Sequence, residues 1–94
     1  MGGRRTVSVV IKGRVQGVSY RVWTQNEARA RALTGSVRNL NDGSVEAIFH
    51  GAPEAVAEML TLCRSGPPGA RVTDITVHEH ADAPGLNSFD ILRG

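Results

Sequence analysis

The segment Gly13-Arg14-Val15-Gln16-Gly17-Val18-Ser19-Tyr20-Arg21 holds the residues best suited to chemistry. A glycine-containing turn between a strand and a helix aims successive backbone N–H groups into one concavity. Such a concavity binds an anion, and a helix N-terminus adds a favourable dipole. Arg21 stands at or just before the start of that helix, where a cation opposes the macrodipole. A bound phosphate reverses the sign of that argument, because a guanidinium offers a planar fork matched to phosphate oxygens. Local conflicts of this kind are expected at functional sites. A plain strand–loop–helix joint with a solvated Arg accounts for the same residues, and a lone Gly-x-x-x-Gly loop does not decide between the two. Asn39 is the second candidate. It shares a strand face with Val37, so its amide is directed towards the helix-covered side. A partly buried amide needs partners, and its donor and its acceptor could each position a water. The alternative is an Asn that supports the hairpin, but Asn41, in Asn41-Asp42-Gly43, suits that turn better.

The elements that must position these residues follow from periodicity. Residues 6–12 alternate Val7, Val9 and Ile11 on one face, which predicts a strand. Residues 21–33 lack Gly and Pro and suit a helix, with Val22, Ala28, Ala32 and Leu33 as inward positions. Thr24 and Glu27 have capping-box spacing, though the helix could equally begin near Arg21. Residues 36–41 and Ser44–His50 read as strands around the Asn41-Asp42-Gly43 turn. Pro53 and Glu54 open a second helix, and Val56, Met59, Leu60 and Cys63 form its buried stripe. Val72, Ile75 and Val77 mark a fourth strand, and 89–92 a short last one. The order is β-α-β-β-α-β with one extra strand. Each helix is expected to return the chain to a parallel neighbour by a right-handed crossover. Two such units and a hairpin give an α+β, ferredoxin-like split βαβ sandwich with a mixed sheet and both helices on one face. Residues 1–94 read as a single domain.

Composition narrows the function classes. The 94 residues are 40% hydrophobic and 21% charged, which is ordinary globular composition. The net charge of +2 hides an asymmetry, because eight of the 11 basic residues fall in residues 1–41 with Glu27 as the only acid there. That split hints at an anionic partner near the first half. One cysteine, Cys63, excludes an intramolecular disulfide and a four-thiolate zinc site. It fits the helix stripe as a core thiol. His78 and His80 share a strand face without an evident third metal ligand, and His50 ends a strand. No apolar stretch reaches the ~20 residues of a membrane span, and no secretory signal is visible, so a cytoplasmic protein is expected.

Ile11-Lys12-Gly13-Arg14-Val15-Gln16-Gly17-Val18-Ser19-Tyr20-Arg21 resembles the first signature of the acylphosphatases. Gly35 to Gly51, with Asn39, Gly43 and Val45 at matching spacing, resembles the second. The resemblance covers almost the whole chain, including a final Phe89-x-Ile91. Ser36 stands where the family usually has an aromatic, and Tyr20 where Phe is common; neither replaces a reacting group. The resemblance implies metal-independent hydrolysis of an acyl phosphate to a carboxylate and inorganic phosphate, with no cofactor and no phosphoenzyme. The backbone of Val15, Gln16, Gly17, Val18, Ser19 and Tyr20 would cradle the phosphoryl oxygens. Arg21 would hold two of them, and Asn39 would orient the attacking water. It also suggests that the Gly94 carboxylate pairs with Arg21 when phosphate is absent. A monomer is expected, without nucleic-acid or membrane partners. The competing reading is a non-catalytic module of the same fold that binds phosphate or nucleic acid. Nucleic-acid modules of this fold stack bases on strand aromatics. Here aromatics are 4% of the chain, the first strand has none, and the third has only Phe49, placed inward.

Overall fold

The computed structural model describes residues 3–81, 85 and 87–93. The chain runs β1 (Arg5–Arg14), α1 (Tyr20–Ala30), β2 (Thr34–Asn39), β3 (Val45–Gly51), α2 (Pro53–Ser65), β4 (Arg71–His80) and β5 (Phe89–Ile91). The sheet order is β4-β1-β3-β2-β5. β1 pairs antiparallel with β3 and β4, β2 pairs antiparallel with β3, and β5 lies parallel to β2. This is the ferredoxin-like α+β sandwich. One expectation needs correction: the crossovers do not return the chain to a parallel neighbour. β3 lies between β1 and β2, and β1 lies between β3 and β4. A helix about 10 Å across spans two strand spacings of about 4.8 Å, so each crossover skips one strand.

Alternation on β1 and β3 buries Val7, Val9, Ile11, Val45, Ala47 and Phe49. The α2 stripe of Val56, Met59, Leu60 and Cys63 closes over them as expected. Phe49 and Phe89 stack at 5.6 Å. On β2, beside the Phe89 ring, Gly35 has φ +144°, and a Cβ there would collide with the Ile48 carbonyl oxygen. Glycine is therefore required at that position by contact as well as by backbone angle.

The first helix differs from its expected pattern. Its inward residues are Tyr20, Thr24 and Ala28, spaced by four, whereas Val22 is 53% exposed. Thr24 does not cap the helix. It is buried inside, and its hydroxyl donates to the Tyr20 carbonyl (2.8 Å). That internal bond lets a polar residue occupy a core position. Glu27 instead pairs with Arg31 at 2.7 Å. The helix ends at Ala30, leaving Ala32 exposed with φ 57° and Leu33 buried after it. β2 ends at Asn39, two residues before the expected boundary, because the Leu40 N–H donates to the Ser44 carbonyl and closes the hairpin there (2.8 Å).

On the sheet face away from the helices, His50 and His80 are held in polar pairs. His50 Nδ1 meets Thr6 Oγ1 at 2.7 Å, and His80 Nε2 meets Ser8 Oγ at 2.9 Å. Ser36 pairs with Ile48 and alternates away from Val37 and Asn39. Among the described residues, no helix is long and apolar enough to cross a membrane.

Candidate active site

The loop after β1 is anchored from both sides. The Val15 side chain is buried in the core, and Val18 packs against it. Gln16 turns the other way: its Nε2 donates to the carbonyls of Leu40 (2.9 Å) and Ser44 (2.8 Å). One side chain thereby ties the loop to the hairpin that carries Asn39. Gly17 at φ 74° and Ser19 at φ 62° are both left-handed, which turns the intervening backbone into a concave arc. A Cβ on Gly17 would meet nothing within 4 Å, so glycine is needed there for the backbone angle alone. Ser19, a non-glycine residue, holds that angle at a cost of about 1 kcal/mol.

Ser19 is the N-cap of α1, but its side chain makes no capping hydrogen bond, and the first turn contains no acid. The leading N–H groups are therefore not met by a cap side chain, nor is the positive end of the helix dipole offset by an acid in the first turn. Tyr20 secures this end of the helix. Its ring packs edge-on against Trp23 at 5.3 Å, and its hydroxyl donates to the Cys63 carbonyl at 2.7 Å. Burial raises the Tyr20 phenol above its ordinary pKa and pushes the Cys63 thiol up to about 12. Neither group is placed to ionise and act as a nucleophile near neutral pH.

These features surround one open cleft of about 400 Å³. Gly17, Ser19, Tyr20 and Arg21 contribute from the loop and helix start, and Asn39 from the end of β2. Val15, Val22 and Ile91 complete the lining. Arg21 is half-buried and takes no part in the ion pairs found among the described residues. Asn39 is also half-buried, and its Oδ1 is a buried acceptor without a donor among the described residues. An unsatisfied buried acceptor costs about 1–3 kcal/mol, and its position beside a cleft marks a polar site.

The fold thus brings together six of the sequence-derived candidates: Val15, Gly17, Ser19, Tyr20, Arg21 and Asn39. Gln16 and Val18 belong to the same loop, but their side chains face the hairpin and the core. Gly94 lies outside the described residues. Sequence reasoning missed Val22 and Ile91 as lining residues. The weak amphipathic pattern of residues 21–33 predicts an inward Val22, and Ile91 reaches the cleft only because β5 pairs beside β2, where the Leu92 N–H donates to the Val37 carbonyl (2.8 Å).

The chain is thus a small ferredoxin-like α+β domain whose first β–α joint opens on an uncapped helix N-terminus, an Arg and an Asn. The acylphosphatase family profile matches residues 7–91. The chain is 55% identical over 84 residues to an acylphosphatase of Bradyrhizobium diazoefficiens, covering 89% of this chain and 84% of that one. It is 45% identical over 93 residues to an acylphosphatase of Natronomonas pharaonis, covering 99% and 100%. The crystal structure of the Bacillus subtilis acylphosphatase superposes with a TM-score of 0.91 at 36% identity, over 94% of this chain and 98% of that one. The chain belongs to the acylphosphatase family of hydrolases.

Proposed function

We propose that this cleft hydrolyses acyl phosphates to a carboxylate and inorganic phosphate without a metal. The observation that carries the reading is the convergence of the uncapped α1 N-terminus, Arg21 and Asn39 on one cleft. The phosphoryl oxygens accept hydrogen bonds from the N–H groups of the 15–20 loop and the first turn of α1. Arg21 clamps two of those oxygens with its guanidinium fork. The Asn39 side chain, on the cleft wall, orients a water so that an oxygen lone pair is directed at phosphorus. As the water oxygen bonds to phosphorus, the bond from phosphorus to the acyl oxygen breaks. The electron pair leaves with the carboxylate, and one water proton passes to a phosphoryl oxygen.

This division of labour suits the reaction. Phosphoryl transfer through a loose transition state needs mainly positioning and charge stabilisation. A carboxylate is already a stable leaving group, so no general acid is needed. Every group invoked comes from one chain, so a monomer suffices. The competing nucleic-acid reading lacks its stacking platform, since Phe49 and Phe89 are buried beneath the helices.

The test is hydrolysis of benzoyl phosphate in EDTA by the purified protein and by Arg21→Ala. Turnover in the wild type that vanishes, together with phosphate inhibition, in the variant is the expected result. Folded protein that binds phosphate without turnover would leave only the binding module.

A further inference from the structure

We propose that Val22 is a specificity-determining residue that holds the acyl portion of the substrate and favours apolar acyl groups over small or polar ones. The proposal rests on the acyl-phosphate reading of the cleft. Val22 is 53% exposed although it is β-branched and sits in the first turn of a helix whose other side is buried. Tyr20, Thr24 and Ala28 supply the core contact of α1, so Val22 contributes little to packing. It nevertheless lines the cleft, immediately after Arg21.

Apart from Val15 and Tyr20, each only 1% exposed, the lining divides by chemistry. Gly17, Ser19, Arg21 and Asn39 supply polar groups where the phosphoryl is held. Val22 and Ile91 supply hydrocarbon from two different elements, α1 and β5. Ile91 is fixed beside Val37 by the parallel β2–β5 pairing, and β5 is tied to α1 by the Gln25 side-chain amide, which donates to the Phe89 carbonyl (3.0 Å). With the loop, the helix N-terminus and Arg21 surrounding the phosphoryl, the acyl chain is left to run along the open mouth. An apolar acyl group there covers the exposed Val22 methyls, whereas an acetyl group is too short to gain the same contact. The cleft volume of about 400 Å³ accommodates an acyl substituent in addition to a phosphoryl group.

The experiment compares kcat/KM for benzoyl phosphate and acetyl phosphate in wild type, Val22→Thr and Leu92→Thr. Thr matches Val in shape and has similar helix propensity, so Val22→Thr changes polarity with little effect on folding. Leu92 is 43% exposed but does not line the cleft, which makes it the control. The expected result is a fall of about three- to tenfold in the benzoyl-to-acetyl ratio for Val22→Thr, mostly through KM, with an unchanged ratio for Leu92→Thr. An unchanged ratio in Val22→Thr overturns the assignment while leaving the hydrolytic reading intact. An equal fall for both substrates, or an equal fall in Leu92→Thr, also overturns it. Wild-type protein that hydrolyses neither substrate overturns the hydrolytic reading and this assignment together.

Discussion

Replacing Gln16 probes how the cradle is held at its distance from Asn39. Its Nε2 donates to the Leu40 and Ser44 carbonyls at 2.9 and 2.8 Å, bridging the loop to both sides of the hairpin turn. Each such bond contributes about 0.5–1.5 kcal/mol net. Gln16→Ala removes both, so the loss is about 1–3 kcal/mol. For a domain of this size that lowers Tm by roughly 5–20 °C. Gln16→Glu is the sharper perturbation. It replaces a donor with a carboxylate facing two carbonyl oxygens, so it should be less stable than Gln16→Ala at pH 7. The carboxyl then has a raised folded-state pKa. Its stability is full below the unfolded value of about 4.3 and is lost as pH rises through the folded value. The assays are thermal melts of both variants at pH 4 and pH 7, with kcat measured alongside at a temperature where each remains folded. A displacement of the cradle from Asn39 should cost at least about tenfold in kcat. A Gln16→Glu variant as stable and as active as wild type at pH 7 would refute the bridging role.

Gly35→Ala should cost several kcal/mol, on the order of 3–5, because its Cβ meets the Ile48 carbonyl in a left-handed backbone; urea unfolding measures it. Cys63 should resist alkylation at pH 8 in the native state and react at the rate of global unfolding, since burial raises its pKa to about 12. Its folded-state pKa lies above the unfolded value of about 8.5, so its contribution to stability is full below that value and declines up to pH about 12. Comparing the alkaline stability slopes of wild type and Cys63→Ala reads the thiol together with its coupling to Tyr20, which shifts in the same direction.

Much of the site is legible in local sequence signals. The glycines and Arg of the 13–21 segment, and the face shared by Val37 and Asn39, place Arg21 and Asn39 on one cleft once β1, α1 and β2 are assembled. The missed features depend on non-local contacts or on side chains acting against type. Thr24 is buried because its hydroxyl finds the Tyr20 carbonyl, and Val22 faces the cleft because the core side of α1 is already filled. No window of sequence around Gln16 announces that its amide spans to residues 40 and 44. The pairing of β5 beside β2, which brings Ile91 to the cleft, is a register choice made across more than fifty residues. The crossover that skips one strand is likewise set by the width of a helix over the sheet, not by any local motif.

The central claim is that Arg21 holds the phosphoryl group while Asn39 acts on the water. The measurement that separates these roles is kcat for benzoyl phosphate together with the affinity for inorganic phosphate, in Asn39→Ala and Arg21→Ala. Asn39→Ala should bind phosphate as the wild type does and lose about 10²–10³ in kcat, whereas Arg21→Ala should lose both. Wild-type kcat in Asn39→Ala, or intact phosphate binding in Arg21→Ala, would contradict the account.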